Sequence, residues 1–203
     1  MSGLRIFPSK CIKYLDLYFD GTLNGSFHCD ILSKTLKRAT GMLAKARHYI
    51  SPVDLKSLYF AIFSYHLTYG CQIWAQVLSS FNRKFFKLQN RAMRVITFLD
   101  LGTPIFRDLK VFKLEDHIIL QNCLFVHDAL HHVSPQCFHD IFHYTNEVHS
   151  LHTRSRYRLF VKPSSTVRYG INSITSKCVS NWNHISRTLN ISLYALSRSN
   201  SRK

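Results

Sequence analysis

Residues 82–98 read NRKFFKLQNRAMRVITF, and two periodic patterns run through them. Phe85, Leu88, Ala92, Val95 and Ile96 recur at the spacing of one helix face, while Lys84, Lys87, Arg91 and Arg94 repeat at three and four on an adjacent face. At about 1.5 Å per residue the cations extend over about 15 Å. The stretch therefore predicts a helix that buries an apolar side in a core and presents a cationic stripe to solvent.

The same spacing organises the chain upstream. In residues 28–47, Leu32, Leu36, Ala39, Leu43 and Ala46 form one face, and Lys34, Lys37, Arg38 and Lys45 lie opposite, predicting a second basic-faced helix. Ser51-Pro52-Val53-Asp54 is a helix start: Ser51 caps, Pro52 occupies the first turn where no N–H is needed, and Asp54 meets the positive end of the dipole. The helix behind it is expected to pack through Leu55, Tyr59, Ile62, His66, Tyr69 and Ile73. Phe60, Phe63, Leu67 and Trp74 make its other sides apolar, and Gly70 marks a bend or close contact. Further upstream, residues 12–19 (IKYLDLYF) alternate loosely, predicting a strand or half of a hairpin that Asp20-Gly21 closes.

Downstream of Gly102-Thr103-Pro104, residues 114–130 read as helix, Pro135 opens a shorter one, 145–170 are polar and irregular, and 171–182 form a last helix. The expected fold is mainly α: a helical bundle preceded by a short β-strand or hairpin, followed by a second small helical region and a basic tail. Its expected parts are 1–27, 28–100, 101–188 and 189–203, the last flexible.

Composition narrows the function classes. The chain has 203 residues, 46% apolar and 13% aromatic, enough to bury a core and exclude a disordered tail as its whole nature. Its formal charge of +16 predicts an acidic partner. The charge is uneven: +5 over 1–50, +4 over 51–100, −3 over 101–150 and +10 over 151–203, with no acid after Glu147. Residues 57–82 lack charged side chains but carry too many polar ones for a membrane span, so a buried helix is expected there. Six scattered cysteines without Cys-x-x-Cys in a chain of this size read as reduced, and no targeting segment shows at the N-terminus, so an intracellular site, nucleus or cytoplasm, is expected.

Catalytic chemistry finds little support. Metal-dependent phosphoryl transfer needs converging carboxylates, yet the only adjacent acids are Glu115 and Asp116 at a helix start. No glycine-rich phosphate loop occurs, and Cys123 with His127 or Cys178 with His184 lacks an orienting carboxylate. Cys123, His127 and His131 share one helix face, with Cys137 following. They make a zinc-stabilised interaction module, for protein or nucleic acid, the alternative reading.

Against that background, an ordered set of segments stands out: residues 12–20 (IKYLDLYFD), 37–48 (KRATGMLAKARH), Tyr69-Gly70-x-x-x-Trp74, 88–96 (LQNRAMRVI), the Leu-rich 109–114, Thr153-Arg154 and Trp182-Asn183. Their order over about residues 10–190 resembles the region after the catalytic palm in reverse transcriptases of non-LTR (LINE-type) retrotransposons. The resemblance implies a primer grip, a helical thumb and the region after it, contacting RNA/DNA hybrid or RNA through the backbone without reading sequence.

It implies a primer-grip role for Lys13, Tyr14 and Leu15. Lys34, Lys37, Arg38, Lys84, Lys87, Arg91 and Arg94 are the expected thumb contacts, inferred from face and charge. Asp16 departs from the family's glycine in the Tyr-Leu-Gly turn, and Gly25 stands where many relatives have tryptophan. The Tyr-x-Asp-Asp metal site of the palm is absent from the sequence. No catalytic residue, metal ligand or cofactor is therefore assigned: Mg²⁺ would belong to a palm, and a separate palm and fingers part of the same element is a candidate partner.

Overall fold

The computed structural model describes residues 10–21, 23, 25–75, 79–98, 105–151 and 155–189. The expectations for 1–9, the linker 102–104, Thr153-Arg154 and the tail beyond Leu189 lie outside them. The described residues are mainly helical with one β-hairpin at the start, as the periodicity predicts. They divide into two compact units, Met1–Leu114 and Glu115–Lys203.

In the first unit, β1 (Cys11–Tyr14) pairs antiparallel with β2 (Leu17–Asp20), Cys11 opposite Asp20 and Tyr14 opposite Leu17. The stretch expected as one strand is thus a complete hairpin that reverses at Leu15 and Asp16. Both have positive φ, 45° and 64°, as a two-residue type I′ turn demands. Asp20-Gly21 ends β2 instead of closing the turn.

Helix α1 (Ser26–Ala46) buries Leu32, Leu36, Ala39 and Leu43. Ser51 then caps α2 (Pro52–Tyr59), its Oγ accepting from the Asp54 N–H at 3.3 Å, as the local sequence predicts. A π turn, Phe60–Ser64, leads into α3 (Tyr65–Thr68), and α4 (Cys71–Trp74) follows a break.

The buried seam here is Leu55, Tyr59, Phe63, Leu67 and Cys71, each four residues after the last. On an uninterrupted α-helix a spacing of four drifts by about 40° per step, which would carry Cys71 to the far side from Leu55. The wide turn at Phe60–Ser64 and the break at Gly70 absorb that drift. This corrects the expected seam: Tyr69 and Ile73 are 38% and 41% exposed, and Ile62 and His66 are only half-buried.

Gly70 has φ 59°, and a Cβ added there would lie 2.9 Å from Leu17 Cδ2. The glycine thus serves both a left-handed break and the close approach of the hairpin. Tyr69 completes the junction: its hydroxyl donates to the Leu15 carbonyl at 2.8 Å, and its own carbonyl accepts from Trp74 Nε1 at 3.0 Å.

Helix α5 (Ser79–Thr97) buries Phe85, Gln89, Ala92, Met93 and Ile96, while Leu88 and Val95 are half-buried. Gln89 is a polar residue in the core. Its Nε2 donates to the Phe112 carbonyl at 2.9 Å and the Tyr59 hydroxyl at 3.3 Å, and its Oε1 accepts from the Leu114 N–H at 3.0 Å. It therefore pins the segment after the short α6 (Ile105–Asp108) to the first unit.

The second unit holds most of α7 (Leu114–Leu130), a 3₁₀ turn at Gln136–Phe138, α8 (Thr145–Val148) and α9 (Ile174–Thr188). Its core gathers Val126, Ala129, Phe142, Tyr144, Leu159, Cys178, Val179 and Trp182. Asn183 accepts from the Leu159 N–H and donates to the Leu159 carbonyl, both at 3.0 Å, fastening the 144/159 bridge to α9.

Two substitutions probe these junctions. Gly70→Ala is expected to cost about 1–2 kcal/mol through its left-handed backbone, before any displacement of Leu17. Gln89→Leu, which strands the Phe112 carbonyl and Leu114 N–H, is expected to cost about 2–4 kcal/mol. Urea unfolding of the full chain measures both.

Candidate nucleic-acid interface

Helices α1 and α5 lie side by side in the same direction. Near their starts Asp30 Oδ1 meets Lys84 Nζ at 3.7 Å, and just past their ends the Arg47 guanidinium covers the Phe98 ring at 4.0 Å. At 100° per residue, Lys34, Lys37 and Arg38 occupy an arc of about 100° on α1, and the four cations of α5 an arc of about 80°, both away from the buried side chains. The Asp30–Lys84 contact places the two arcs beside each other.

The expected contact residues differ in availability. Lys34, Lys37, Arg38, Lys87 and Arg91 are exposed, and among the described residues no ion pair neutralises them. Lys84 is half-buried beside Asp30. Arg94 is also half-buried, its Nε enclosed without a hydrogen-bond partner among the described residues. Lys45 and Arg83, exposed on the same two helices, add cations that the expected contacts did not include, though the helical spacing already places them near the stripes.

Lys13, Tyr14 and Leu15 lie on the hairpin. Tyr14 and Leu15 are 65% and 67% exposed, and Lys13 Nζ pairs with Asp16 Oδ1 at 2.6 Å. That contact raises the Lys13 pKa and lowers that of Asp16, first through the hydrogen bond and then through the charges. A cleft of about 220 Å³ opens between the hairpin and the helices, lined by Lys13, Tyr18, His28, Thr35, Tyr65 and His66 among others. Burial pushes the His28 imidazole below its ordinary pKa, against a smaller upward pull from Asp16. Gly25, φ 66°, precedes α1 and borders a second, apolar cleft of about 210 Å³ beside Trp74.

The Cys/His set does not assemble. His127 and His131 come together, ring centroids 4.3 Å apart, but Cys123 packs half-buried against the core of the second unit and Cys137 is exposed. Among the described residues no group of three or more His, Cys, Asp or Glu side chains converges where a metal ion would sit. The zinc-module reading therefore has no ligand set here. Nor is any helix among the described residues long and apolar enough to cross a membrane.

A basic helical unit fronted by a hairpin is the class of protein that this geometry defines. No protein-family model matches the chain, and no solved structure does. Among curated proteins it is 29% identical over 112 residues to the probable RNA-directed DNA polymerase from transposon X-element of Drosophila melanogaster. The match takes in 52% of this chain and 12% of that protein. The chain thus contains a region distantly similar to a retrotransposon RNA-directed DNA polymerase, and that region spans a small part of the relative's length.

The six cysteines are free, and burial separates them. It pushes the Cys29 and Cys178 thiols up to about 12 and Cys71 up to about 11. At pH 8 a thiol-specific disulfide reagent is therefore expected to label exposed Cys137 rapidly, and Cys29, Cys71 and Cys178 only on unfolding. Mass spectrometry of the labelled peptides checks this.

Proposed function

We propose that residues 10–98 form the primer-grip and thumb part of a LINE-type reverse transcriptase, and that the α1–α5 face binds RNA/DNA hybrid or RNA through its phosphates. The observation that carries this reading is the pair of parallel helices whose exposed cations lie on one side without neutralising partners among the described residues. Two such rows suit a phosphate backbone, which supplies affinity independent of sequence. Similarity to a retrotransposon polymerase supports the choice of nucleic acid over an anionic membrane surface.

On this reading residues 10–98 perform no catalysis by themselves and lend duplex grip to palm and fingers residues outside this stretch. Tyr14 and Leu15 are exposed at the tip of a hairpin that Tyr69 anchors, which suits a grip held rigidly from behind.

A fluorescent RNA/DNA hybrid of about 20 base pairs tests the binding. With about four to five phosphates neutralised, affinity is expected to fall about 10²- to 10³-fold between 50 and 200 mM salt. The triple variant Lys87→Glu, Arg91→Glu, Arg94→Glu should weaken binding equally for two unrelated sequences. Affinity that ignores salt, or a loss confined to one sequence, would refute backbone tracking.

A further inference from the structure

The second unit contains its own cationic cleft, of about 610 Å³, lined by His149, Arg158, Ser180, His184 and Arg187 and, along one side, by Leu159 and its successors Phe160 and Val161. Ser180, His184 and Arg187 follow the helical spacing i, i+4 and i+7, so they share one face of α9, opposite Cys178 and Trp182 in the core. The other wall is held by backbone bonds: the Arg158 carbonyl accepts from Thr145 N at 2.8 Å and Thr145 Oγ1 at 2.9 Å, and Asn183 binds both backbone groups of Leu159. These bonds use main-chain atoms of Arg158 and Leu159 and do not engage the Arg158 guanidinium.

No acid lines this cleft. The sequence has none beyond Glu147, whose Oε2 accepts from Tyr144 N. Among the described residues no ion pair engages Arg158 or Arg187, and His149 Nδ1 is buried without a hydrogen-bond partner. Two guanidiniums with no counter-charge, beside two imidazoles whose ring N–H groups can donate, describe a site for an anion. The volume lies in the range of small-molecule sites, about 300–1,000 Å³, and one side is apolar. An occupant that matches both features joins a phosphate to a flat, partly apolar body.

We infer that this cleft holds one nucleotide of a single nucleic-acid strand, its phosphate on Arg158 and Arg187 and its base or ribose against Phe160 and Val161. The site is separate from the α1–α5 face and does not rest on it. It gives a role to part of the acid-free C-terminal quarter, which the thumb reading leaves unexplained.

The test uses the full chain carrying Lys87→Glu, Arg91→Glu and Arg94→Glu, so that failure of the α1–α5 reading is scored apart. The probe is a labelled ten-nucleotide oligouridylate followed by anisotropy. Binding is expected to persist in this background and to weaken at least about tenfold on adding Arg158→Gln and Arg187→Gln. The slope of log affinity against log salt should also drop by about 0.7 for each phosphate released. Arg158→Lys with Arg187→Lys should retain most of the affinity.

No binding in the starting background, or a change within about twofold in a double variant that melts like its parent, overturns the inference. So does displacement of the strand by inorganic phosphate at equal concentration per phosphate, or tight binding of a phosphopeptide in place of the strand. Should the double variant not fold, the imidazole carbon-bound proton signals of His149 and His184 in the unsubstituted chain decide. They must move on adding oligouridylate, and signals that stay still refute the site.

Discussion

The hairpin packs on α1, where Tyr18 meets Phe27 edge-on at 5.6 Å, and is fixed to the helical segment behind it at the break of Tyr69 and Gly70. Tyr69 reaches the hairpin turn with its hydroxyl and holds Trp74 with its carbonyl, while Gly70 gives Leu17 the space to pack. Trp74 in turn meets Phe85 edge-to-face at 5.1 Å, bringing the hairpin's anchor into contact with the helix that carries the cations. A left-handed residue without a Cβ is the only kind that fits this place at low cost, because any side chain would meet both backbone strain and Leu17. The resemblance motif Tyr69-Gly70-x-x-x-Trp74 therefore has a physical content: a clamp that orients the hairpin relative to a helical core.

That clamp and the π turn before it solve one geometric problem. A helical segment must keep Leu55, Tyr59, Phe63, Leu67 and Cys71 on one side while passing between its neighbours. Uniform spacing of four does this only if the helix is widened and then interrupted, and both devices are present. With the inner side of the unit filled this way, α1 and α5 lie against each other and turn their cations outward together. The basic face is thus a consequence of how the apolar residues are buried.

Much of this was legible from residue order. The periods in 28–47 and 82–98 place α1 and α5 and their cationic sides, and Ser51-Pro52 with Asp54 marks the start of α2, because amphipathic spacing and end caps act over a few residues. The hairpin turn was harder to see: Leu15 is not a residue a type I′ turn favours and Asp16 stands where glycine is usual, yet both have positive φ where β1 pairs with β2 and the Tyr69 hydroxyl meets the Leu15 carbonyl. Gln89 carries no local sign of burial either. Its neighbours Leu88 and Val95 are more apolar yet half-exposed, since the inward position depends on where Tyr59, Phe112 and Leu114 arrive from elsewhere in the chain.

The C-terminal quarter shows the same division. Its charge is evident from composition, as +10 with no acid, but composition leaves those cations without an address. Folding brings Arg158 beside the Ser180, His184 and Arg187 face through Asn183, 24 residues from Leu159 in the chain. By itself the sequence determined which segments are helical and which faces are basic, since short-range periodicity and the order of the charges decide those properties. Which cations share a surface, which aromatic residues leave the core and where a cleft opens were decided only by tertiary structure, because they depend on contacts between residues far apart in the chain.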